Sequence, residues 1–366
     1  MLVFSAPSRY VQGPGVLDRL GQELKRLGSR SLVVLDAGVR QRVLGRIEAS
    51  HAAAELALRI VHFEGEVTAS TIDVLCAQAG AVLPDVVVGV GGGKTLDAAK
   101  AVSLHFKARF ASVPTIASTD GPASFSAAIY NDRHEMVEVR FMPRNPELVL
   151  VDSQVVTGAP LRFLRAGIGD AISKRFEARA CAAAGANTLH GARPSRTGLM
   201  AADLCFELIR RHGAKALAAI ASGTLNDDVE ALVEATTLLS TLAFENGGLS
   251  IAHAIARGLP MVPRAAGSLH GEHVAYGLLV QRVLEDAPVT EQSELLALYH
   301  ELGLPRRLAE LRLPEIRADE MDQLIAGALG SPSLKRFVRT LSADDLRAAI
   351  EQVEALPESL HLEGQS

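Results

Sequence analysis

The sequence predicts an α/β, Rossmann-like N-terminal domain with a parallel sheet, followed by an all-α C-terminal domain. Up to about residue 152, short β-branched runs alternate with helical patterns, as they do in βαβ units. Beyond that point Ala, Leu, Glu and Arg recur at helical spacing, with Gly or Pro between the segments. A length of 366 residues also favours two domains, because a single core seldom grows that large.

Five strands are predicted in the first domain, at residues 31–36, 60–63, 86–89, 111–114 and 148–152. Helices predicted between them include 16–27 and 95–105. The clearest helices of the second domain are at 201–211, 227–244, 274–284 and 342–356. Pro160 suits a first helical position, since its fixed φ and missing N–H cost little there. We therefore predict domains at 1–158 and 159–366, with a dispensable tail at 357–366.

The overall composition excludes several classes of function. Hydrophobic residues make up 48% and charged residues 22% of the chain, which is an ordinary globular balance. A net charge of -5 provides no basic face for nucleic acid, so we expect small-molecule partners. No run approaches the ~20 apolar residues of a membrane span.

The cysteines and the N-terminal segment predict a cytoplasmic protein. Three cysteines without C-x-x-C spacing indicate neither a disulfide framework nor a cysteine zinc site, which fits a reducing compartment. The N-terminal residues also lack the basic stretch and apolar run of a secretory signal.

A glycine-rich segment, GVGGGKTLD at residues 89–97, lies where a buried strand is predicted to end and a helix to begin. Gly91, Gly92 and Gly93 would let backbone N–H groups approach a ligand closely, and the helix N-terminus adds partial positive charge. With Lys94, this pattern predicts a pyrophosphate site, the alternative being a βα turn without a ligand. A Walker A loop would need glycine where the sequence has Val88, so a P-loop nucleotidase is disfavoured.

The first clear strand ends at Asp36. A carboxylate at that edge can accept hydrogen bonds from an adenosine ribose while repelling a 2′-phosphate, which favours NAD over NADP. Asp36 could instead serve only as the cap of a turn.

Three residues of the second domain, Asp170, His253 and His270, could share a cation. Two imidazoles and a carboxylate suit zinc or iron(II), and three protein ligands leave one coordination position open for a substrate. By spacing alone, each histidine could instead be a core residue. His273 forms an i,i+3 pair with His270, but we rank it below His253 as a ligand.

Six longer segments follow one another in an order and at separations that resemble a known family. They are GVGGGKTLDAAKA, VPTIASTDGPAS, PRNPELVLVDSQVV, AGIGDAISKRFEARAC, FENGGLSIAHAI and HGEHVAYG. Across nearly its whole length the sequence resembles the glycerol dehydrogenase family, within the iron-containing alcohol dehydrogenase superfamily.

The resemblance implies roles for individual residues. Asp170, His253 and His270 would bind a catalytic divalent metal, typically Zn²⁺ with Fe²⁺ or Mn²⁺ as alternatives, and Asp120 would contact the polyol. These four are therefore the expected catalytic and substrate-contacting residues. NAD would be bound by strand-end and loop residues in the first domain, namely Asp36, Gly93, Lys94, Thr115, Ser118, Ser124, Ser126 and Tyr130.

The implied reaction is the NAD-dependent oxidation of glycerol, or a related small vicinal diol, to the hydroxyketone; glycerol would give dihydroxyacetone. The metal would act as a Lewis acid on a substrate hydroxyl, and a hydride would pass to C4 of the nicotinamide. The resemblance also implies a homo-oligomer, either a dimer or a larger ring.

Several departures from the family pattern leave the preferred alcohol open. Gly121, Phe125, Ser126 and residues 266–269 differ from the usual residues and are expected to border the substrate pocket. Alternatives are a related dehydrogenase of 2-hydroxy acids, glycerol 1-phosphate or other polyols, a sugar-phosphate cyclase, and a non-catalytic sensor that binds NAD and metal. Asp120 could instead cap the next helix, and Lys94 could be solvated. We expect Asp97 to interact favourably with the dipole of its own helix.

Overall fold

Eight strands lie in the part of the chain that the computed structural model describes, which is residues 1–80, 83–132 and 136–356. In chain order they are β1 Tyr10–Gly13, β2 Arg30–Asp36, β3 Ala57–Phe63, β4 Val86–Gly91, β5 Arg109–Pro114, β6 Ser126–Tyr130, β7 Met136–Phe141 and β8 Leu148–Asp152. Six of them form one parallel sheet in the order β1-β8-β5-β4-β2-β3, and β6 pairs antiparallel with β7.

The sheet forms because its central strands can be buried on both faces. Every residue of β4 and β8 is buried, and both are near-continuous runs of Val, Leu and Gly, as parallel strands require. The predicted parallel sheet is confirmed, with all five predicted strands present. Strand β1 and the β6–β7 pair were not predicted, because β1 has only four residues and β7 is largely exposed.

The strand order reverses between β2 and β4. The chain runs from β2 to β3 on one side and from β4 to β5 on the other. In open parallel sheets, ligands bind beyond the carboxyl ends of the strands that flank such a reversal. Because Leu35 pairs with Val90, the next residues, Asp36 and Gly91, lie side by side at this edge.

Fourteen α-helices are present in the described residues. In chain order they are α1 Leu20–Leu24, α2 Arg40–Ala53, α3 Ala69–Ala79, α4 Gly93–Phe106, α5 Ser153–Thr157, α6 Leu161–Ala183, α7 Arg196–Ala221, α8 Asp227–Glu234, α9 Ser240–Gly247, α10 Ile251–Gly258, α11 His270–Leu284, α12 Val289–Leu302, α13 Ala318–Leu329 and α14 Ala343–Ala355.

The chain divides into two compact units. The sheet unit contains Ser5–Pro160 and Gly223–Leu238; the helical unit contains Met1–Phe4, Leu161–Ser222 and the described part of Leu239–Ser366. The sequence places a boundary near residue 158, and the first long segment ends at Pro160. The return of Gly223–Leu238 to the sheet unit has no counterpart in the sequence prediction, and the predicted tail at 357–366 lies outside the described residues.

Hydrogen bonds to β1 explain why Gly223–Leu238 belongs to the sheet unit. The Tyr10 hydroxyl lies 2.7 Å from Thr237 Oγ1. Gln12 Nε2 donates to Glu230 Oε2 at 2.7 Å. These bonds pair polar side chains that are at least half-buried and that the strand alone could not satisfy.

Two predicted helices differ from the observed ones. Residues 16–27 form a 3₁₀ turn, Val16–Arg19, followed by the short α1. The predicted helix 227–244 is interrupted by a π-helical segment, Ala235–Leu239. There Thr236 Oγ1 donates to Leu232 O and Thr237 Oγ1 to Val233 O, and such bonds compete with the helical backbone pattern.

The C-terminal region is helical, as predicted. Among described residues 153–356 there is no strand, and the predicted helices at 201–211, 274–284 and 342–356 correspond to α7, α11 and α14. None of the helices in the described ranges combines the length and apolar character needed to cross a membrane.

Candidate active site

Three candidate metal ligands meet inside the helical unit. Asp170 comes from the middle of α6, His253 from the first turn of α10 and His270 from the first residue of α11. One possible ligand atom of each residue lies within 4.8 Å of the others. Asp170 is fully buried, His253 is half-buried and His270 is more open. The predicted trio is therefore brought together.

Glycines let the three helices approach closely enough for this cluster to form. A Cβ on Gly271 would lie 1.8 Å from Ala166 O, and one on Gly169 would lie 2.4 Å from Gly271 O. The backbones of α6 and α11 are therefore in direct contact beside Asp170 and His270. A Cβ on Gly277 would lie 2.4 Å from Ala252 O, which brings α10 equally close to α11.

Glu177 orients His253. Its carboxylate accepts a hydrogen bond from the His253 backbone N–H at 3.0 Å and lies 2.6 Å from His253 Nδ1. It also accepts bonds from Ser250 N and from Ser173 Oγ, at 2.8 and 2.9 Å. Because Nδ1 faces Glu177, Nε2 is the imidazole atom that faces Asp170, 3.4 Å from its Oδ1.

Lys174 lies among the same atoms. Its ammonium donates to Asp170 Oδ1 and lies 3.3 Å from His253 Nε2. Lys174 and Glu177 were not predicted as site residues. Their spacing could have indicated a shared site, because the residues four and seven positions after Asp170 lie on the same face of α6. Both side chains are fully buried.

Charges within the cluster shift its pKa values strongly. Burial alone would raise the pKa of Glu177, but the His253 imidazole and then the Lys174 ammonium outweigh it and hold the pKa at about 2. The pKa of Asp170 is likewise lowered despite burial, with Lys174 as the main opposing cause. Although part of His270 is exposed, desolvation of its ring lowers its pKa, so the ring is neutral at pH 7 and has a lone pair for a metal.

His273 lies apart from the trio. It is 2% exposed, and its Nε2 lies 3.2 Å from Ala265 O, within the core of the helical unit. Burial lowers its pKa to about 4. It is a buried packing residue of the helical unit.

The donor set fits a divalent ion. Two imidazoles and one carboxylate are ligands that Zn²⁺, Fe²⁺ and Mn²⁺ accept, and three ligands leave a coordination position open. The structure supports this independently, because Asp170 already holds a cation, the Lys174 ammonium, and His253 Nε2 lies 3.3 Å from the same nitrogen.

The predicted cofactor residues cluster at the carboxyl edge of the sheet unit. Asp36 Oδ1 accepts a hydrogen bond from Gly38 N, so the predicted turn-capping role is observed; its Oδ2 accepts one from Thr95 Oγ1, both at 2.8 Å. The outer lone pairs of a carboxylate allow further bonds to a ligand. A Cβ on Gly91 would lie 2.6 Å from the Thr95 side chain, so this glycine is required by packing.

Gly92 and Gly93 begin α4. Gly92 is its N-cap, and no side chain among the described residues caps this helix end. A Cβ on Gly93 would meet only Thr119 Oγ1, at 3.9 Å, so packing within the described chain does not require glycine there. Lys94 extends from the first turn, 55% exposed, and pairs with Glu66 at 2.8 Å.

The remaining predicted cofactor residues follow β5 and lie along β6. Thr115 is buried, and its Oγ1 has no hydrogen-bond partner in the described residues. An orphaned buried hydroxyl at this edge fits a bound cofactor group. Ser118 is half-buried in the next loop. Ser124 Oγ lies 2.8 Å from Ser126 Oγ. Burial, aided by Asp97, raises the pKa of Tyr130 to about 12.

Asp120 precedes a 3₁₀ turn, Gly121–Ala123, but its side chain makes no capping bond to that turn. The alternative of a helix-capping aspartate is therefore wrong. The departure at Phe125 is explained by packing, because its ring stacks on Phe141 at 5.2 Å.

Asp97 has a different role from the one predicted. It lies beyond the first turn of α4, and its Oδ2 accepts a bond from Ala128 N at 3.1 Å. Its other oxygen pairs with the fully buried Lys100 at 3.2 Å. Lys100 Nζ also donates to Gly121 O at 2.9 Å and Ser126 O at 2.7 Å. This ion pair, which the sequence did not predict, holds the loop after Asp120 and strand β6 in place.

The glycine-rich helix start at the sheet edge and the three residues that could hold a cation are features expected of a metal-assisted dehydrogenase. A sequence model of the family described as iron-containing alcohol dehydrogenase matches residues 7–153. Similarity to known proteins extends over most of the chain, well beyond these residues. The chain therefore belongs to the iron-containing alcohol dehydrogenase family.

Within that family, relatives named glycerol dehydrogenase are similar along most of the chain. The glycerol dehydrogenase of Escherichia coli O6:H1 is 43% identical over 318 residues, covering 86% of this chain and 85% of the relative. The crystal structure of glycerol dehydrogenase from Schizosaccharomyces pombe superimposes with a TM-score of 0.93 at 31% identity, covering 99% of this chain and 92% of that one. A glycolaldehyde reductase from Halobacterium salinarum is 38% identical, covering 89% of each chain.

Proposed function

We propose that this chain is an NAD-dependent dehydrogenase that oxidises glycerol, or a related small vicinal diol, to the hydroxyketone. The observation that carries the proposal is the convergence of Asp170, His253 and His270 in a chain 43% identical to a glycerol dehydrogenase. A non-catalytic sensor would have no need of three ligands that leave a coordination position open.

We propose Zn²⁺ as the ion, with Fe²⁺ or Mn²⁺ as alternatives, held by Asp170, His253 and His270. When bound, the ion supplies Lewis acidity that stabilises the alkoxide of a substrate hydroxyl, whose pKa is otherwise far too high for ionisation at neutral pH. The chain supplies the orientation: Glu177 holds Nδ1 of His253, so Nε2 would be the nitrogen that binds the ion.

The sheet edge supplies the proposed NAD site. NAD, when bound, supplies the hydride acceptor. Asp36 would accept bonds from the adenosine ribose, and Gly91–Gly93 with the start of α4 would receive the pyrophosphate next to Lys94. The remaining contacts would come from the residues after β5 and on β6, namely Thr115, Ser118, Ser124, Ser126 and Tyr130.

Asp120 is the proposed polyol contact. It lies in the loop after β5, and a carboxylate can accept a hydrogen bond from a substrate hydroxyl. Asp120→Ala should therefore lower kcat/KM more for glycerol than for 1,2-propanediol, which lacks the third hydroxyl. Equal, wild-type rates on both substrates would remove Asp120 from this role.

One experiment tests the function as a whole. C2–C4 diols, glycerol and 2-hydroxy acids are assayed with NAD, with and without added zinc, and after chelation. We expect NADH to accumulate with glycerol or a vicinal diol and the rate to fall on chelation. Preference for 2-hydroxy acids would favour the related dehydrogenase, and absence of any oxidation with zinc present would favour a sensor.

Three further proposals accompany this function. We propose residues 1–158 as the NAD-binding domain and residues 159–366 as the metal and substrate domain. We propose a homo-oligomer, a dimer or larger ring, which light scattering would size. We keep a cytoplasmic location as a proposal, supported by three buried cysteines, none of which forms a disulfide.

A further inference from the structure

Lys174 places a positive charge among the proposed metal ligands. It follows Asp170 by one turn of α6, and its ammonium donates to Asp170 Oδ1. The same nitrogen lies 3.3 Å from His253 Nε2, the imidazole atom left available once Glu177 has taken Nδ1. The side chains of Lys174 and Asp170 are both fully buried, so water does not screen this contact.

An ammonium in this position and a divalent ion use the same ligand atoms. A zinc ion lies about 2.0–2.2 Å from a carboxylate oxygen or an imidazole nitrogen. An ion that bound Asp170 Oδ1 and His253 Nε2 at such distances would meet the N–H groups of Lys174. Two cations this close in a buried site repel one another strongly.

Two neighbouring groups can interact with the Lys174 ammonium in a second position. The Phe244 ring centre lies 5.9 Å from Lys174 Nζ, within reach of a cation–π contact. The Glu177 carboxylate lies one turn further along the same face of α6. Both groups can receive Lys174 when Asp170 turns to another cation.

We propose that Lys174 is an internal competitor for the metal. In the metal-free chain its ammonium neutralises Asp170 and holds the ligand cluster together. Before a divalent ion binds, Lys174 must leave Asp170, and this displacement weakens the affinity of the site for the ion. The inference rests on the proposed function, since it requires Asp170, His253 and His270 to be the metal ligands.

The test is the zinc affinity of purified, metal-free protein, measured by competition with a fluorescent chelator. Lys174→Met removes the competing charge and should bind zinc at least tenfold more tightly than wild type. Lys215→Met is the matched control, because it removes the same charge from an exposed position on α7 and should leave the affinity unchanged. Equal or weaker zinc binding by Lys174→Met would overturn the proposal.

A second measurement needs no variant and decides the matter if Lys174→Met does not fold. In a crystal structure of the zinc-bound wild-type protein, Lys174 Nζ should lie beyond hydrogen-bond distance of Asp170 Oδ1. A retained Lys174–Asp170 bond beside a bound zinc ion would show that the lysine supports the ligand, and the proposal would fail.

His270→Ala separates this inference from the proposed function. If His270→Ala binds zinc as wild type does, the metal site itself is wrong. If His270→Ala loses zinc while Lys174→Met gains no affinity, only the competition is wrong.

Discussion

Glu177 shows how one residue outside the ligand set controls the candidate metal site. It bonds to both the backbone N–H and the ring of His253, and so determines which imidazole nitrogen faces Asp170. The residue is fully buried, so removing its charge would loosen its hold on the His253 ring.

Glu177→Gln should therefore weaken zinc binding by about 10- to 100-fold, the usual effect of losing the partner of a metal-bound histidine. Isothermal titration calorimetry on the metal-free protein measures the zinc affinity. Ser173→Ala removes only one hydrogen bond to Glu177 and should have a much smaller effect. Wild-type affinity in Glu177→Gln would mean that His253 is held by its other neighbours.

Lys94 is an exposed residue at the sheet edge, where we propose that NAD binds. It already pairs with Glu66, so a cofactor phosphate would share or replace that partner. Lys94→Ala should raise the dissociation constant for NAD by about two- to fivefold, as expected for one solvent-screened charge contact. Glu66→Gln keeps the ammonium and should not weaken NAD binding. If fluorescence titration shows no change in Lys94→Ala, Lys94 does not contact NAD.

The role of Asp97 could not be predicted from its position in the sequence. An acidic residue near a helix start ordinarily stabilises the helix dipole. Here the carboxylate bonds to Ala128 N and to Lys100, residues that only the folded chain brings near it. Burial raises the pKa of Asp97, and Lys100 partly offsets that effect.

At the scale of elements, backbone contact between α6 and α11 positions Asp170 and His270. Gly271 has no room for a side chain, since a Cβ would lie 1.8 Å from a carbonyl oxygen of α6. Because the obstacle is backbone, a rotamer change cannot relieve it.

Gly271→Ala should therefore lower the free energy of unfolding by roughly 1–3 kcal/mol, the usual effect of overpacking, and should weaken zinc binding as well. Gly45→Ala is the control: it lies within α2, its Cβ would meet no atom within 4 Å, and alanine is the better helix former. Chemical denaturation compares the two. Equal stability of Gly271→Ala and wild type would show that α11 can shift without loss.

The sequence pattern predicted some secondary-structure elements and missed others, for a physical reason. The strands β4 and β8 are buried on both faces, so an uninterrupted apolar run identifies them. Strand β7 is largely exposed and pairs only with β6, so no periodic burial marks it. The π-helical segment depends on threonine hydroxyls that bond back to the helix, which helical periodicity does not reveal.

At the scale of the whole molecule, carboxylates with lowered pKa values predict the response to acid. Glu320 accepts two hydrogen bonds from Arg264, at 2.9 and 2.6 Å. The Arg264 side chain, with help from the Arg317 backbone N–H, lowers the pKa of Glu320 to about 2. Hydrogen bonds from Ser342, aided by Arg339, lower that of Asp345 to about 2 as well.

A carboxyl group with a lowered folded-state pKa stabilises the protein fully above its unfolded pKa. That contribution is lost as pH falls through the folded value, here between about pH 4.5 and 2. The unfolding temperature should therefore fall as pH drops through this window. Glu320→Gln should be less stable than wild type at pH 5 and lose less on further acidification. Glu294→Gln, at an exposed position on α12, is the control, and parallel pH profiles for Glu320→Gln and wild type would contradict the prediction.

The sequence by itself determined the class of fold, the family and the identity of the three candidate ligands. Local patterns are sufficient for these, because alternating β-branched and helical segments, a glycine-rich turn and long family motifs are all read along the chain.

The tertiary structure decided which side chains surround those ligands and which segments share a unit. Lys174 and Glu177 matter only because α10 places His253 against them, and Gly223–Leu238 joins the sheet unit through contacts with distant segments such as β1. Such contacts depend on the packing of residues far apart in sequence, and local spacing carries little information about them.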